Sequence, residues 1–346
     1  MTNLDARPDE LVCRARPLDD VQLIQPRDVP LGGIRAMTVR RSLPSRERPF
    51  IGSWCFLDHY GPDAVKETGG MDVPPHPHCG LQTVSWLFRG EIEHRDSLGT
   101  HALVLPGELN LMSAGRGIAH SEVSTPATTI LHGVQLWVAL PPDRRDSAPT
   151  FQHYAARESV EAGVGWRVFL GELGGESSPV PTHTPLLGAE LALAAEAVAE
   201  VALNPEFEHG LLVDSGTVEL DGQPVVEPTL VALPAGRTRL RLRAVGARAR
   251  MLLIGGTPME SDLVMWWNFV GSSHEEIVQA RRAWQAEIGA EADATGGDEA
   301  VGAPPPTDGD ARGARFGTVL GYDGSPLKAP PMPHGRLRAR KPSPPR

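Results

Sequence analysis

Two short stretches of this chain carry side chains at spacings that allow joint chemistry. In Pro75-His76-Pro77-His78 two imidazoles are separated by one residue, and in His120-Ser121-Glu122 an imidazole and a carboxylate are separated the same way. In an extended chain residues i and i+2 project from one face, so each pair presents both donors together. Two such pairs on neighbouring strands converge into four nitrogen and oxygen ligands: His76, His78, His120 and Glu122. Three imidazoles and a carboxylate suit Fe(II), Mn(II), Ni(II), Cu(II) or Zn(II). Around an octahedral ion they leave one or two positions open, whereas a structural zinc site is closed and tetrahedral. A lone strand histidine is most often an ordinary polar residue, and a single His-x-His pair is common by chance. The second pair, with consistent strand parity, favours the metal.

The elements that would position these groups read as strands. Gly (37) and Pro (33) make up about a fifth of the 346 residues, which suits short strands and many turns. β-like runs are expected at 34–39, 52–57, 83–88, 102–105 and 134–140, and a second series runs from about Trp166 to Gly256. In Arg237–Arg243 the alternation puts Leu240 and Leu242 on one face and the arginines on the other. If no bulge intervenes, Gln82, Val84, Trp86 and Phe88 continue the parity of His76 and His78. His94 and His101, flanking the turn at 96–100, are expected to face solvent. His59 is expected to hydrogen-bond at a strand end, and Cys79, on the opposite parity from His78, to be inert packing. Ser273 and Glu276 form a capping box for an amphipathic helix with Ile277, Ala280, Trp284 and Ile288 on its apolar stripe and Arg281 and Arg282 on the solvated face.

The formal net charge of −10 argues against direct nucleic-acid binding. No apolar run of about 18 residues marks a membrane span. Three cysteines (Cys13, Cys55, Cys79) make no disulfide framework or zinc motif. With no apolar leader at the N-terminus, a cytoplasmic location is expected. The organisation read from these features is an arm over 1–30, a first β-domain over 31–160, a second over 161–288 ending in the helix, and a flexible linker and basic tail over 289–346.

Several segments together resemble the pirin family, a branch of the cupin superfamily. They are Phe56-Leu57-Asp58-His59-Tyr60-Gly61-Pro62, Pro75-His76-Pro77-His78 with Gly80, and Glu91-x-x-His94-x-Asp96-Ser97-x-Gly99. Met112-Ser-Ala-Gly115-Arg-Gly117-Ile-Ala-His120-Ser-Glu122, Gln135-Leu136-Trp137-Val138 and Met265-Trp-Trp-Asn-Phe-Val270 complete the match over about 30–288. The resemblance implies an all-β bicupin of two tandem jelly-roll-like barrels, with metal in the first only. His209, the only strand-region histidine of the second barrel, fits that reading. The resemblance also implies that His76, His78, His120 and Glu122 are the ligands of one divalent ion, Fe(II) first, with Mn, Ni, Co, Cu or Zn as alternatives. One departure stands out: Gln82 replaces a glutamate common in the first cupin motif, removing a carboxylate near the pocket.

Some pirins resemble quercetin 2,3-dioxygenases, which open a flavonol with O2. In that reading the metal binds the deprotonated 3-hydroxyl as a Lewis acid and Glu122 accepts the proton. Trp86, Phe88, Leu111 and Met112 would wall a small aromatic substrate, with Gln82 nearby and Arg116 steering an anion. The competing expectation is a non-enzymatic protein whose metal or redox state tunes its binding to a partner, either a metabolic enzyme or a transcription factor.

Overall fold

A computed structural model describes residues 11–13, 20–31, 37–46, 48–290 and 314–333. Each barrel pairs a seven-stranded sheet with a four-stranded one, all neighbours antiparallel. In the first, the large sheet runs in the order Thr150–Ala155, Glu108–Ser113, Leu81–Arg89, Ile130–Ala139, Trp54–Ala64, Met37–Leu43, Arg27–Leu31. Its small sheet runs Asp72–His78, Ile118–Ser124, Ile92–Asp96, His101–Val104. The second barrel repeats the plan. Its large sheet ends on Gln22–Ile24 and its small sheet is Val198–Ala202, Arg239–Ala244, Thr217–Leu220, Gln223–Val226. The chain is thus an all-β bicupin with one C-terminal helix of note, His274–Glu287.

Leu240 and Leu242 are fully buried while Arg239 and Arg241 are exposed, as alternation on a half-buried strand requires. Ser273 caps the helix by accepting the Glu276 amide. Arg281 departs from the solvated face assigned to it: it is buried and donates Nε to the Pro330 carbonyl, whereas Arg282 is exposed. Its aliphatic stem covers apolar surface while the guanidinium keeps a partner. The three cysteines are buried and free. No helix among the described residues is long and apolar enough to cross a membrane.

The arm expected over 1–30 holds strands that knit the halves together. Gln22–Ile24 pairs with Leu230–Leu233 of the second barrel, Arg27–Leu31 pairs with Met37–Leu43 of the first, and Leu11–Cys13 pairs with Leu263–Met265. Between the barrels lies an apolar core of Trp54, Val84, Trp86, Leu111 and Leu136 against Phe169, Leu212, Leu252 and Ile254. The barrels touch backbone to backbone at Gly52, whose φ is +52° and where a Cβ would sit 2.7 Å from Gly256 Cα. Any other residue there would force them apart.

Of the linker and tail expected over 289–346, residues 291–313 and 334–346 lie outside the described residues. Residues 314–333 lie along the outer side of the first barrel. Phe316 is buried against Phe269 and Trp284, and its carbonyl accepts the Ala119 amide at 3.0 Å. Leu327 donates to the Pro75 carbonyl at 2.8 Å, and Tyr322 donates its hydroxyl to Asp72 at 2.8 Å. The segment therefore grips both strands that carry the candidate ligands, each beside a histidine.

Candidate metal centre

The Asp72–His78 and Ile118–Ser124 strands pair so that His76 stands opposite His120 and His78 opposite Ile118. Beyond that point the register shifts, and Glu122 pairs with Val73. There Pro74 and Pro75 together oppose the single Ser121, and prolines, with no N–H to offer a ladder, suit such a bulge. At the other end Gly80, with φ +72°, turns the chain where a Cβ would come within 2.0 Å of the Val270 carbonyl oxygen. That turn carries the chain from the small sheet into the large one.

His76, His78, His120 and Glu122 are all inaccessible to solvent. Candidate donor atoms of His76, His78 and His120 lie within 4.8 Å of one another, as do those of His94, His120 and Glu122. The imidazole centroids of His76 and His120 are 4.4 Å apart, and each lies 5.0 Å from that of His78. Burial holds the imidazoles neutral: His76 is pushed down to about 3, and His78 and His120 well below the usual histidine range.

Hydrogen bonds fix which nitrogens face inward. His76 Nδ1 lies 2.8 Å from the Pro74 carbonyl and His78 Nδ1 lies 3.2 Å from the Asn268 carbonyl. A carbonyl can only accept, so both Nδ1 atoms carry the proton and both Nε2 atoms keep a lone pair. His76 Nε2 is buried with no hydrogen-bond partner, a costly state for a polar atom. His78 Nε2 stands 3.1 Å from His120 Nε2. A separation near 3 Å suits two nitrogens on a cation with metal–nitrogen distances of about 2.1 Å. A divalent ion therefore fits these donors, and its binding would relieve the orphaned nitrogen.

The large sheet faces the cluster with polar groups. Ser85 Oγ lies 3.2 Å from Glu122 Oε1 and 2.9 Å from Gln135 Oε1. Burial raises the Tyr60 phenol far above its ordinary range, and the Glu122 charge adds to this, so Tyr60 stays protonated. Trp137 meets His78 edge-on at 5.2 Å, and Phe151 lies 4.9 Å from His94.

A second histidine cluster bridges the barrels. His59 Nε2 and His132 Nε2 approach Asp214 Oδ1 at 2.8 and 2.6 Å, and Arg250 Nε donates to Asp214 Oδ2 at 2.7 Å. Arg250 Nη2, a donor only, lies 3.3 Å from His132 Nδ1. His132 therefore accepts on Nδ1 and donates from Nε2 to the carboxylate, which its hydrogen bonds and Arg250 hold far below the usual range despite burial. Protons of His132 and Arg250 point at Asp214 here, where the lone pairs of His76 and His78 point inward in the first cluster. The Arg250 guanidinium supplies positive charge beside the carboxylate, and Arg40 Nη2 lies 3.3 Å from His59 Nε2.

Several expectations change. His94 is buried beneath His120, with their Nδ1 atoms 3.4 Å apart, because the Ile92–Asp96 strand turns it inward beside Ile118–Ser124; His101 is exposed. His59 lies within a long strand, not at its end, and reaches into the second barrel. The parity run fails because Gly80 breaks the strand. Trp86 and Leu111 belong to the core between the barrels, Phe88 packs against that core, and Trp86 Nε1 donates to Glu190. Gln82 bonds Ser113 Oγ and pairs with Val138 of the inter-barrel core, so its lost carboxylate is no loss to the ligands. Arg116 is exposed, on a separate cavity of about 950 Å³ shared with Arg145, Glu276 and Arg315. Met112 alone of the proposed wall packs on the ligand side, with Ile118 and Phe151. Ser85, Tyr60 and Asn268 stand by the cluster although no motif assigns them a role; for Ser85, the odd parity it shares with Thr83 points to that face of the strand.

The family model of pirin matches residues 36–138, and that of the pirin C-terminal cupin domain matches 188–288. A Pseudomonas aeruginosa protein provisionally named quercetin 2,3-dioxygenase is 41% identical over 96% of this chain and 98% of its own length. A pirin-like protein of Caulobacter vibrioides is 37% identical over 72% of this chain and 88% of its own. A solved Acinetobacter baumannii structure described as quercetin 2,3-dioxygenase superposes with a TM-score of 0.81 at 35% identity, covering 93% of this chain and 98% of that one.

Proposed function

The chain belongs to the pirin family, and from that premise we propose that it is a metal-dependent dioxygenase that opens a flavonol such as quercetin with O2. The observation that carries the proposal is the convergence of buried His76, His78 and His120 nitrogens beside Glu122, with His76 and His78 held by carbonyl hydrogen bonds on the far sides of their rings. The relatives named as quercetin dioxygenases support the same reading. A bound Fe(II)-type ion would supply Lewis acidity and a common site for a flavonol oxygen and O2.

The protein's own residues then divide the remaining work. His76, His78 and His120 hold the ion as neutral ligands, and their burial keeps water from competing for the inward nitrogens. Glu122 would complete the ligand set and take the flavonol 3-hydroxyl proton. Ser85, within hydrogen-bond reach of Glu122, steadies the carboxylate as the charge on it changes. Phe151, Trp137 and Met112 provide apolar surface near the imidazoles, in place of Trp86, Phe88 and Leu111.

The test is reconstitution with Fe(II), Mn(II), Ni(II), Co(II), Cu(II) or Zn(II), followed by O2 uptake and carbon monoxide release with quercetin. About one ion per chain and turnover with at least one metal are expected. Metal binding without turnover on any flavonol would overturn the enzymatic reading and favour a metal-tuned binding protein.

A further inference from the structure

We propose that Asp96 and His94 set the tautomer of His120, as a carboxylate–imidazole–imidazole relay that aims the His120 Nε2 lone pair at the metal position. The inference deepens the metal-site reading above and rests on it.

The relay begins at the turn after the Ile92–Asp96 strand. Asp96 Oδ1 accepts the backbone amides of Leu98 at 2.9 Å and Thr100 at 3.0 Å. Those are two fixed donors, so this buried side chain is held as an acceptor. Its other oxygen lies 3.2 Å from His94 Nε2, and a carboxylate there requires the proton on His94 Nε2. With its proton there, His94 offers the lone pair of Nδ1, which lies 3.4 Å from His120 Nδ1. Only one hydrogen fits between those nitrogens, and only His120 can supply it; the competing acceptor for that proton, His78 Nε2 at 3.1 Å, is the one a cation between the two rings would engage instead. With Nδ1 protonated, His120 is left with a lone pair on Nε2, the atom 3.1 Å from His78 Nε2. All three inward nitrogens are then acceptors, each fixed by a partner on the far side of its ring. His76 and His78 obtain theirs from backbone carbonyls; His120 obtains its own from two side chains.

This assigns a purpose to the His94-x-Asp96 spacing: both side chains point into the barrel from one strand face, one touching the ligand and the other fixing the toucher. His94 is a positioning residue, since its Nε2 is engaged by Asp96 and its Nδ1 by His120. Outer partners of this kind orient metal-bound histidines and tune their affinity.

Substituting Asp96→Asn gives a sharp reversal. The amide introduced can still accept the two backbone N–H groups through its oxygen, but it offers N–H to His94 Nε2. His94 must then carry its proton on Nδ1, and His120 must accept there and hold its own proton on Nε2, where the metal would bind. Zinc affinity, measured by competition with a chromophoric chelator, should fall 10–100-fold. His94→Gln, whose carbonyl can still accept from His120 Nδ1, should retain most of it.

The decisive readout is long-range 1H–15N correlation of the imidazole rings in 15N-histidine-labelled, metal-free protein. Wild type should show His120 and His76 protonated on Nδ1 and His94 on Nε2, and Asp96→Asn should invert His94 and His120. A wild-type His120 protonated on Nε2 would overturn the relay, as would Asp96→Asn binding zinc as tightly as wild type with unchanged tautomers. If wild type binds no zinc, cobalt or nickel while its metal-free tautomers match, the metal reading fails and the relay stands as a purely structural arrangement.

Discussion

The two barrels share a seven-plus-four strand plan, yet their interiors hold opposite things. The first closes around three imidazoles and a carboxylate, with Ser85, Tyr60 and Gln135 facing them. The second closes around Leu191, Leu211, Val213, Leu242, Met251 and Leu253, with His209 its only strand-borne histidine among the described residues. The same contrast recurs between the two histidine clusters. One gathers imidazole nitrogens around a common position, while the other gathers protons on Asp214 and holds Arg250 beside it. Strand architecture alone does not make a metal site. The tautomers do, and those follow from what stands behind each ring.

The largest effect should come from breaking the first cluster. His76→Ala or His120→Ala should cut metal content from about one ion per chain to near zero and abolish any O2 uptake with quercetin. His132→Ala, in the second cluster, should leave metal content unchanged. Metal analysis of the three variants side by side checks this, and metal loss in His132→Ala alone would reverse the assignment of the clusters.

Next comes stability. Asp214→Ala leaves Arg250 and two buried imidazoles without their acceptor, so it should cost about 3–5 kcal/mol in denaturant unfolding. Its metal affinity should stay within about twofold of wild type, since no ligand is touched.

Trp86→Phe sharpens the boundary between core and pocket. It removes the indole donor to buried Glu190, whose carboxyl burial already raises above its ordinary range. The loss should be about 1–3 kcal/mol, with the KM for a flavonol unchanged. A raised KM with unaltered stability would return Trp86 to the substrate wall.

The smallest effect concerns acid. Burial puts His209 near 4 in the folded protein, below the unfolded value of about 6.5. The unfolded chain thus binds the extra proton between those values, and stability falls as pH drops from about 6.5 to 4. His209→Leu should remove that slope and so gain roughly 1 kcal/mol more at pH 6 than at pH 8. Thermal melts at the two pH values measure it.

Much of this was legible in the sequence. His-x-His and His-x-Glu picked out side chains that come together because strand parity is a local rule, and Arg237–Arg243 showed its buried face for the same reason. Parity misled beyond Gly80, where a turn handed the chain to another sheet and sent Trp86 toward the second barrel instead of the ligands. It also left His94 to be judged from its turn, although its place under His120 depends on pairing between strands some twenty-five residues apart. The link from His59 to Asp214 joins the two barrels, and no local pattern encodes it. Nor does composition reveal that 314–333 returns to the ligand strands, since its grip rests on backbone carbonyls and a few rings such as Phe316.

The strand Gln22–Ile24 has a consequence in time. It completes the second barrel's large sheet by pairing with Leu230–Leu233, so that barrel cannot be finished from its own stretch of chain. At about 5–20 residues per second of synthesis, the early strand waits on the order of ten seconds or more for its partner. Through that interval its backbone edge is open to any other extended chain nearby. A nascent pirin of this design should lean on holding chaperones until its last strands emerge, and the halves expressed as separate chains should prove less soluble than the whole.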